Sequence, residues 1–145
     1  MNDPAGKKLA LLERVQRARE IATGQKLGAA IQTKDQTQRK GEQLQNYLSE
    51  YESALETEAA PSGAMDLLNY RHFLGGMHSA KYMVLQQVGR EEQRIESLRE
   101  EWVKHRSESK AIEKLLHTKG QQERRLTQKR ADQEVSDRGG VAKGR

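Results

Sequence analysis

The histidines are the residues of this chain with the clearest potential for chemistry, because imidazole binds transition metals and transfers protons near neutral pH. His72 and His78 are six residues apart, which puts them on different faces of a helix. The other two, His105 and His117, are farther from any second histidine than the three- or four-residue spacing of a metal-ligand pair. Glu101 and His105 have acid–base spacing, but on a highly charged helix this is usually a surface pair. We therefore expect neither a metal site nor a proton-transfer dyad.

Nucleophilic and cofactor chemistry has no motif in the sequence either. The chain contains no cysteine, which excludes thiolate nucleophiles, disulfides and cysteine-ligated zinc. The stretch LGGMHS has two adjacent glycines, but it lacks the glycine spacing and the preceding strand of a nucleotide-binding loop. The sequence thus predicts a protein that is not an enzyme and binds no cofactor.

The composition indicates long helices. Only 34% of the 145 residues are hydrophobic and 4% are aromatic, so a thick core is not available. The mean hydropathy is −1.00, and Gln, Glu, Lys, Arg, Ala and Leu, all good helix formers, dominate. No apolar run reaches the length of a signal peptide or a membrane span. We expect a protein that is soluble or attaches to membranes only through its partners, and the lack of cysteine suits a reducing cytoplasm.

A heptad pattern runs through the second half of the chain. Alternating steps of four and three residues from Tyr70 to Leu116 meet fourteen positions, of which ten are apolar. Random placement would give about five, so the pattern predicts a coiled-coil helix from about 65 to 132. These seam positions are Tyr70, Leu74, Met77, Lys81, Val84, Val88, Glu91, Ile95, Leu98, Trp102, His105, Ser109, Ile112 and Leu116.

The first half of the chain predicts a second helix, from about 9 to 58. Pro61 and Gly63 break the helical pattern after it, and Ser62 is suited to cap the following helix. A connection as short as residues 59–64 makes the helices antiparallel neighbours. The same spacing appears in two stripes of this half: Leu44, Leu48, Tyr51, Leu55, and Leu11, Val15, Ala18, Ala22.

These elements predict an all-α fold, a single long antiparallel two-helix coiled-coil hairpin, which we expect to be monomeric. Residues 133–145 carry three glycines and no apolar stripe, so we expect a disordered C-terminal tail. Folding the chain so that Leu55 faces Tyr70 fixes a mirrored register. It brings Tyr51 to Leu74, Leu48 to Met77, Leu27 to Leu98 and Leu9 to Leu116, and it sets Lys34 against Glu91 and Glu20 against His105.

Tyr47, Phe73 and Ala80 lie outside the seam near the connection between the helices, beside the seam residues Leu44, Tyr51 and Met77, and together these six form an apolar cluster. A hairpin with no third element leaves the three outer residues in water, and burying one phenylalanine is worth about 1.5–3 kcal/mol. The cluster therefore predicts a docking surface or self-association, although a merely broad apolar helix face is the alternative. Gly75 and Gly76 each cost a helix about 1 kcal/mol relative to alanine, which fits a place where a partner or the opposing helix approaches closely. The cluster consists of Leu44, Tyr47, Tyr51, Phe73, Met77 and Ala80.

Both ends of the chain are basic. The first twenty residues hold five Lys or Arg against three Asp or Glu, and residues 119–145 hold eight against four. The segment TKGQQERRLTQKRADQE has the charge to contact nucleic-acid phosphates, but acidic residues interrupt it and no leucine zipper follows. Docking to an acidic protein partner is the other reading of this segment.

Three stretches of the chain resemble the FliJ family of the bacterial flagellar type III export apparatus. They are LQNYLSEYESAL, LLNYRHFLGGMHSA and REEQRIESLREEWVKHRSESKAIEKLLHTK, and the resemblance covers about residues 40–135. It implies a coiled coil similar to the gamma subunit of rotary ATPases, with no catalysis by the chain itself. It also implies three partners: the hexameric export ATPase (FliI-like), the export gate membrane protein (FlhA-like) and export chaperones. Stalk proteins of virulence-type apparatuses share this architecture.

The resemblance also implies a site. Family members bind the gate protein through an apolar patch near the connection, and its positions fall on Leu44, Tyr47, Tyr51, Phe73, Met77 and Ala80. Two flanking positions depart from the family pattern, since Lys40 replaces a familiar glutamine and Val84 a familiar histidine. A coiled-coil nucleic-acid-binding or scaffolding protein that uses the basic C-terminal segment is the alternative function.

Overall fold

The computed structural model describes residues 3–56 and 63–143, which form two helices. Helix α1 spans Pro4–Glu56 and helix α2 spans Ala64–Lys143. Their described residues divide into two compact units that each pair a stretch of α1 with a stretch of α2: a central unit, residues 23–56 and 63–101, and a terminal unit, residues 3–22 and 102–143. The predicted all-α antiparallel two-helix fold is confirmed.

Helix α1 begins at Pro4, five residues before the predicted start at about residue 9. The Asp3 carboxylate accepts a hydrogen bond from the backbone N–H of Gly6 at 3.1 Å, which satisfies one of the free donors of the first turn. Proline is well placed at the first helical position because its missing N–H is not needed there. An aspartate followed by proline thus starts the helix before its apolar stripe begins.

Helix α2 begins just after Gly63, whose carbonyl accepts the first hydrogen bond, from the N–H of Leu67 at 2.9 Å. Asp66 lies in the first turn, where a negative charge favours the helix dipole. The predicted cap Ser62, the helix-breaking Pro61 and the last two residues of the predicted first helix all lie outside the described residues.

At its other end, α2 continues to Lys143, although the sequence predicted a disordered tail from residue 133. The segment contains no proline that would end the helix. Every side chain of residues 121–140 is exposed. The hydrogen bonds that accompany this stretch run along the helix, as between Gln128 Nε2 and Asp132 Oδ1 at 3.0 Å. This part of the helix therefore rests on local interactions and helix propensity.

In the central unit, the predicted seam is the packed face of both helices. All nine α2 seam positions from Tyr70 to Leu98 are buried or half-buried. The buried hydrophobic side chains are Leu48, Ile95 and Leu98. A Cβ added at Gly41 would lie 3.2 Å from Cγ1 of Val84, so these two residues face each other as the mirrored register requires.

One predicted pair of this unit is wrong in detail. Lys34 was expected to face Glu91, but its Nζ lies 3.5 Å from Oε1 of Glu92. Glu91 instead accepts a hydrogen bond from the hydroxyl of Thr37 at 3.0 Å. The physical reason is that the long lysine side chain reaches the next carboxylate at the edge, while the short threonine, which is buried, stays in the seam.

In the terminal unit, the apolar stripe through Leu11 and Val15 competes with the mirrored register for the side of α1 that packs on α2, and the prediction from this stripe is wrong. Leu11 is 62% exposed, and Val15, Ala18 and Ala22 are exposed as well. The mirrored register fixes which face of α1 meets α2, and apolar content does not override it. Leu9, Glu13, Gln16 and Glu20, the positions that this register places against α2, are half-buried, as are Gly6 and Ala10, and they belong to the same unit as the buried Ser109.

The two helices of the terminal unit are also joined by a polar contact. Nζ of Lys119 lies 2.7 Å from Oδ2 and 2.9 Å from Oδ1 of Asp3, within one turn of the predicted pairing of Leu9 with Leu116. This contact, together with the Gly6 N–H, lowers the pKa of Asp3 from 3.8 to about 2. The pairing of Glu20 with His105 stays a prediction, while Nδ1 of His105 lies 4.0 Å from Glu108.

Candidate functional site

The candidate site is built around Tyr51, which joins the two helices of the central unit. Its ring meets the ring of Phe73 edge to face, with centroids 5.3 Å apart and an interplanar angle of 84°. It also meets Tyr70 edge to face at 6.3 Å. The Tyr70 hydroxyl donates a hydrogen bond to the backbone carbonyl of Tyr51 at 2.6 Å. Three aromatic side chains from two helices thus form one cluster.

The cluster remains open to solvent. Tyr47 is 52% exposed and Phe73 is 48% exposed, which confirms that both lie outside the seam. Tyr51, a seam position by spacing, is also exposed. A protein of 4% aromatic content that leaves these rings in water carries a surface that a partner can bury.

The six predicted site residues differ in their exposure to solvent. Leu44, Met77 and Ala80 are half-buried and line the edge of the seam, whereas Tyr47, Tyr51 and Phe73 are exposed. Of these, the structure brings Tyr51 and Phe73 into ring contact; the others share the same side of their helices at three-, four- or seven-residue spacing. We call these six residues the aromatic surface.

A rigid support lies directly under the aromatic surface. Leu48, which is 1% exposed, is the most deeply buried large side chain among the described residues and lies between Tyr47 and Tyr51 in the chain. Fully buried side chains have fixed rotamers and neighbours, so the backbone that carries the two tyrosines is held in place. This arrangement suits a preformed docking surface.

The two flanking positions that depart from the family pattern differ in their surroundings. Lys40 is exposed. Val84 is half-buried in the seam, because it faces Gly41. A valine in this position contributes to helix packing and leaves no polar group at the edge of the aromatic surface.

The two glycines prove to lie on different faces of α2. Gly76 follows Phe73 by three residues and precedes Ala80 by four, so it shares their side of the helix. Gly75 lies about 200° around the helix from Phe73, close to the opposite side. A Cβ added at either glycine would meet nothing within 4 Å. Contact with the opposing helix therefore does not require a glycine at either position, and only Gly76 lies next to the aromatic surface.

Sequence reasoning missed a second group of exposed apolar side chains at the start of α2. Only the seam and its edge were followed, so side chains elsewhere around the helix were overlooked. The signal was available, since residues 67–90 contain no Asp or Glu in a chain that is 32% charged. The missed residues are Met65, Leu67, Leu68, Tyr82, Met83 and Leu85.

The histidines take part in ordinary side-chain contacts. Nε2 of His78 lies 3.2 Å from Oε1 of Glu52 on α1, and Nε2 of His117 lies 3.2 Å from Nε2 of Gln121. In residues 3–56 and 63–143, no group of three or more His, Asp or Glu is arranged to hold a metal ion. Neither helix, over the same residues, has an apolar stretch able to cross a membrane.

The basic C-terminal segment carries its positive charges around most of the circumference of a single helix. Arg124, Arg125, Lys129 and Arg130 are all exposed, and no carboxylate lies between them in the chain. They are carried by the part of α2 whose side chains are exposed on every side. The segment is therefore free to meet a negatively charged surface.

Among protein families, the one described as Flagellar FliJ protein matches residues 6–138. The matched span includes both helices almost completely and every residue of the aromatic surface. No curated protein and no solved structure matched the chain.

Proposed function

Because the chain belongs to the flagellar FliJ protein family, we propose that it is a stalk-like protein that couples the export ATPase to the export gate. Its general role is in flagellar protein export, as a component without catalytic activity of its own. In the proposed mechanism, the terminal unit engages the hexameric ATPase and the central unit engages the gate membrane protein. The chain also escorts export chaperones, and it is held at the inner membrane through the gate.

The exposed ring cluster of Tyr51 and Phe73 is the observation that supports the gate-binding half of this proposal. Tyr51 comes from α1 and Phe73 from α2, and they are 39% and 48% exposed. The buried side chain of Leu48 lies one helical turn before Tyr51. Large aromatic side chains in such positions are typical of residues that dominate binding energy. The gate protein's cytoplasmic part is the proposed occupant.

The test is the affinity of the full chain for the purified cytoplasmic part of the gate protein. Phe73 exposes 48% of its surface, and an aromatic side chain typically buries about 200 Å², so its exposed part is about 100 Å². At about 25 cal/mol per Å², covering that area contributes about 2.5 kcal/mol, and Phe73→Ala should weaken binding up to about 60-fold. Tyr47→Ala should have a similar effect.

Tyr82→Ala is the matched control for these variants. Tyr82 is 62% exposed, compared with 52% for Tyr47 and 48% for Phe73, and it lies on another side of α2 from Phe73, so its loss should leave gate binding unchanged. Circular dichroism should show the same helix content for all three variants. Equal effects of Phe73→Ala and Tyr82→Ala would contradict the assignment of the aromatic surface.

The glycine next to this surface gives a second test of the same site. Gly76→Leu fills open space and removes a poor helix former, so it should stabilise the isolated chain by about 1 kcal/mol. The added side chain would obstruct a partner on the aromatic surface and weaken gate binding. Gly75→Leu makes the same chemical change on the opposite side, and it should stabilise the chain without affecting the gate. Unchanged gate binding by Gly76→Leu would reject a close approach at this point.

The charge of the terminal unit supports the ATPase-binding half of the proposal. Arg124, Arg125, Lys129 and Arg130 are exposed basic side chains with which α2 would meet acidic residues of an ATPase ring. The double variant Arg124→Gln with Arg125→Gln should weaken binding to the ATPase of the same species, measured by co-sedimentation. Arg71→Gln, which removes an exposed arginine of the central unit, is the control.

The nucleic-acid reading of the basic segment predicts a different result in the same assay. Duplex DNA would then bind with a steep dependence on salt, and the double variant would reduce that slope by about two contacts. No ATPase complex, together with such DNA binding, would overturn the stalk proposal in favour of the alternative. We favour the ATPase because the family role is in protein export.

A further inference from the structure

The start of α2 has a second apolar face that neither the seam nor the aromatic surface uses. Leu68, Gly75 and Tyr82 are spaced by seven residues and share one side of the helix, and Leu85, three residues after Tyr82, lies at the flank of that side. Gly75 lies about 200° around the helix from the seam residue Met77. We call these four residues the back face.

The back face is exposed. Leu68 is 68% exposed, Tyr82 is 62% exposed and Leu85 is 57% exposed. A helix that is apolar on its seam, its edge and its back is typical of a helix buried on more than one side. The partner helix of the central unit covers only the seam, so the back face has no partner among the described residues.

Gly75 marks the place of closest approach on this face. A glycine within a helix is destabilising by about 1 kcal/mol relative to alanine, and a Cβ at this position would meet nothing within 4 Å. No neighbour within the described chain therefore requires the glycine. The side chains of Leu68 and Tyr82 stand one heptad to either side, so the glycine forms a notch between two large residues. The Tyr82 hydroxyl accepts a hydrogen bond from Nε2 of Gln86 at 2.8 Å, which restrains the ring on the helix surface.

The charge around the back face identifies the chemistry of its partner. Residues 67–90 contain no Asp or Glu, and they carry Arg71 and Arg90 as exposed positive charges, while Lys81 lies in the seam and donates a hydrogen bond to Gln45 of α1. Arg71 lies between Leu68 and Gly75 in the heptad and is exposed. A second copy of this chain would bring the same basic, carboxylate-free surface against itself in a two-fold contact, which like charges oppose.

We propose that the back face binds an acidic amphipathic helix of another protein. The partner's apolar residues pack on Leu68, Tyr82 and Leu85, its backbone approaches at Gly75, and its flanking carboxylates meet Arg71 and Arg90. This is helix-to-helix recognition with three- and four-residue anchors. The surface is distinct from the aromatic surface, so the chain can hold two partners on the central unit at once.

The experiment measures binding of a fluorescent synthetic helix to the full chain by anisotropy at low salt. The peptide has leucine along one face, glutamate on both flanks and alanine elsewhere. Saturable binding is expected, and the same peptide with lysine in place of glutamate should bind at least about tenfold more weakly. Absence of saturable binding by the acidic peptide, or equal binding of both peptides, would overturn the proposal.

Two leucine substitutions locate the site. Gly75→Leu fills the notch and should weaken the peptide complex at least about tenfold, whereas Gly76→Leu, the same change one residue away, should leave it unchanged. Tyr82→Glu should abolish binding through both lost packing and added negative charge. In the gate assay the expected effects are reversed, because Gly76→Leu weakens gate binding and Gly75→Leu leaves it unchanged. Failure of this proposal can therefore be distinguished from failure of the proposed function.

Two controls identify other occupants of the back face. Vesicles of phosphatidylglycerol test a lipid surface, and binding that Tyr82→Glu abolishes, without peptide binding, would assign the face to a membrane instead. Sedimentation equilibrium tests self-association. A dimer that Gly75→Leu dissociates would assign the face to a second copy of the chain and overturn the proposal.

Discussion

Replacing Leu48 with alanine tests whether the thin seam holds the central unit together. Leu48 is 1% exposed and supports the backbone between the two tyrosines of the aromatic surface. Truncating a buried leucine to alanine costs about 2–5 kcal/mol, depending on how well the space can close. The opposite seam position, Met77, is half-buried and close to solvent. Water and neighbouring side chains can therefore fill part of the space, and we expect the lower half of the range, about 2–3 kcal/mol.

The assay is urea unfolding of the full chain followed by far-ultraviolet circular dichroism. With a typical dependence of about 2 kcal/mol per molar urea, the expected loss lowers the midpoint by about 1–1.5 M. Leu68→Ala is the matched control, because Leu68 lies in the same unit and is 68% exposed. Its effect should stay within about 0.5 kcal/mol. Equal midpoints for the two variants would refute the claim that the seam at Leu48 carries the stability of this unit.

Two further predictions concern α1. Gly41→Leu should destabilise the chain by about 1–2 kcal/mol in the same assay, because its Cβ would lie 3.2 Å from Cγ1 of Val84. Gly28→Leu is the control: a Cβ there meets nothing within 4 Å, so the substitution should stabilise the chain by about 0.5–1 kcal/mol. Equal effects of the two substitutions would contradict the register. The pKa of Asp3 is lowered from 3.8 to about 2, first by Lys119 and then by the Gly6 N–H, so its contribution to stability is complete above about pH 4 and is lost as the pH falls towards 2. Lys119→Gln should raise the pKa of Asp3 back towards 3.8 in an NMR titration, and an unchanged value would show that the contact with Lys119 does not exist in solution.

The seam and its register were predictable because they depend on backbone periodicity. Alternating steps of four and three residues identify one face of a helix whatever the side chains do, and a short connection leaves little freedom in the pairing. The same method failed at Leu11 and Val15, where apolar residues occur at the right spacing on the wrong face. Apolar content alone does not decide which face is covered; the register set by the partner helix does.

The exposure of two candidate-site residues was predictable from the sequence, but the contacts within the candidate site were not. Spacing shows that Tyr47 and Phe73 lie outside the seam, yet the hydrogen bond from Tyr70 to the Tyr51 carbonyl depends on rotamers that a sequence does not specify. The glycines show the same limit, because adjacent residues lie about 100° apart on a helix. Treating Gly75 and Gly76 as one feature merged two different surfaces.

The early start of α1 could have been predicted. Asp3 and Pro4 form a known start signal, an N-cap residue followed by proline at the first helical position. The apolar stripe drew attention instead, and it begins only at Leu9. At the other end, the glycines of residues 133–143 suggested disorder, although the absence of proline leaves a helix sterically possible.

The hydrogen bond and ring contacts of Tyr51 make the aromatic surface a property of the paired helices. Phe73 and Tyr70 belong to α2 and Tyr51 to α1, so the surface would vanish if the two helices separated. By mass action, a partner at free concentration [L] that binds this surface with dissociation constant Kd stabilises the paired helices by RT ln(1 + [L]/Kd). A bound partner would therefore hold the two helices of the central unit together. Separation of the helices would in turn release the partner without any change in sequence.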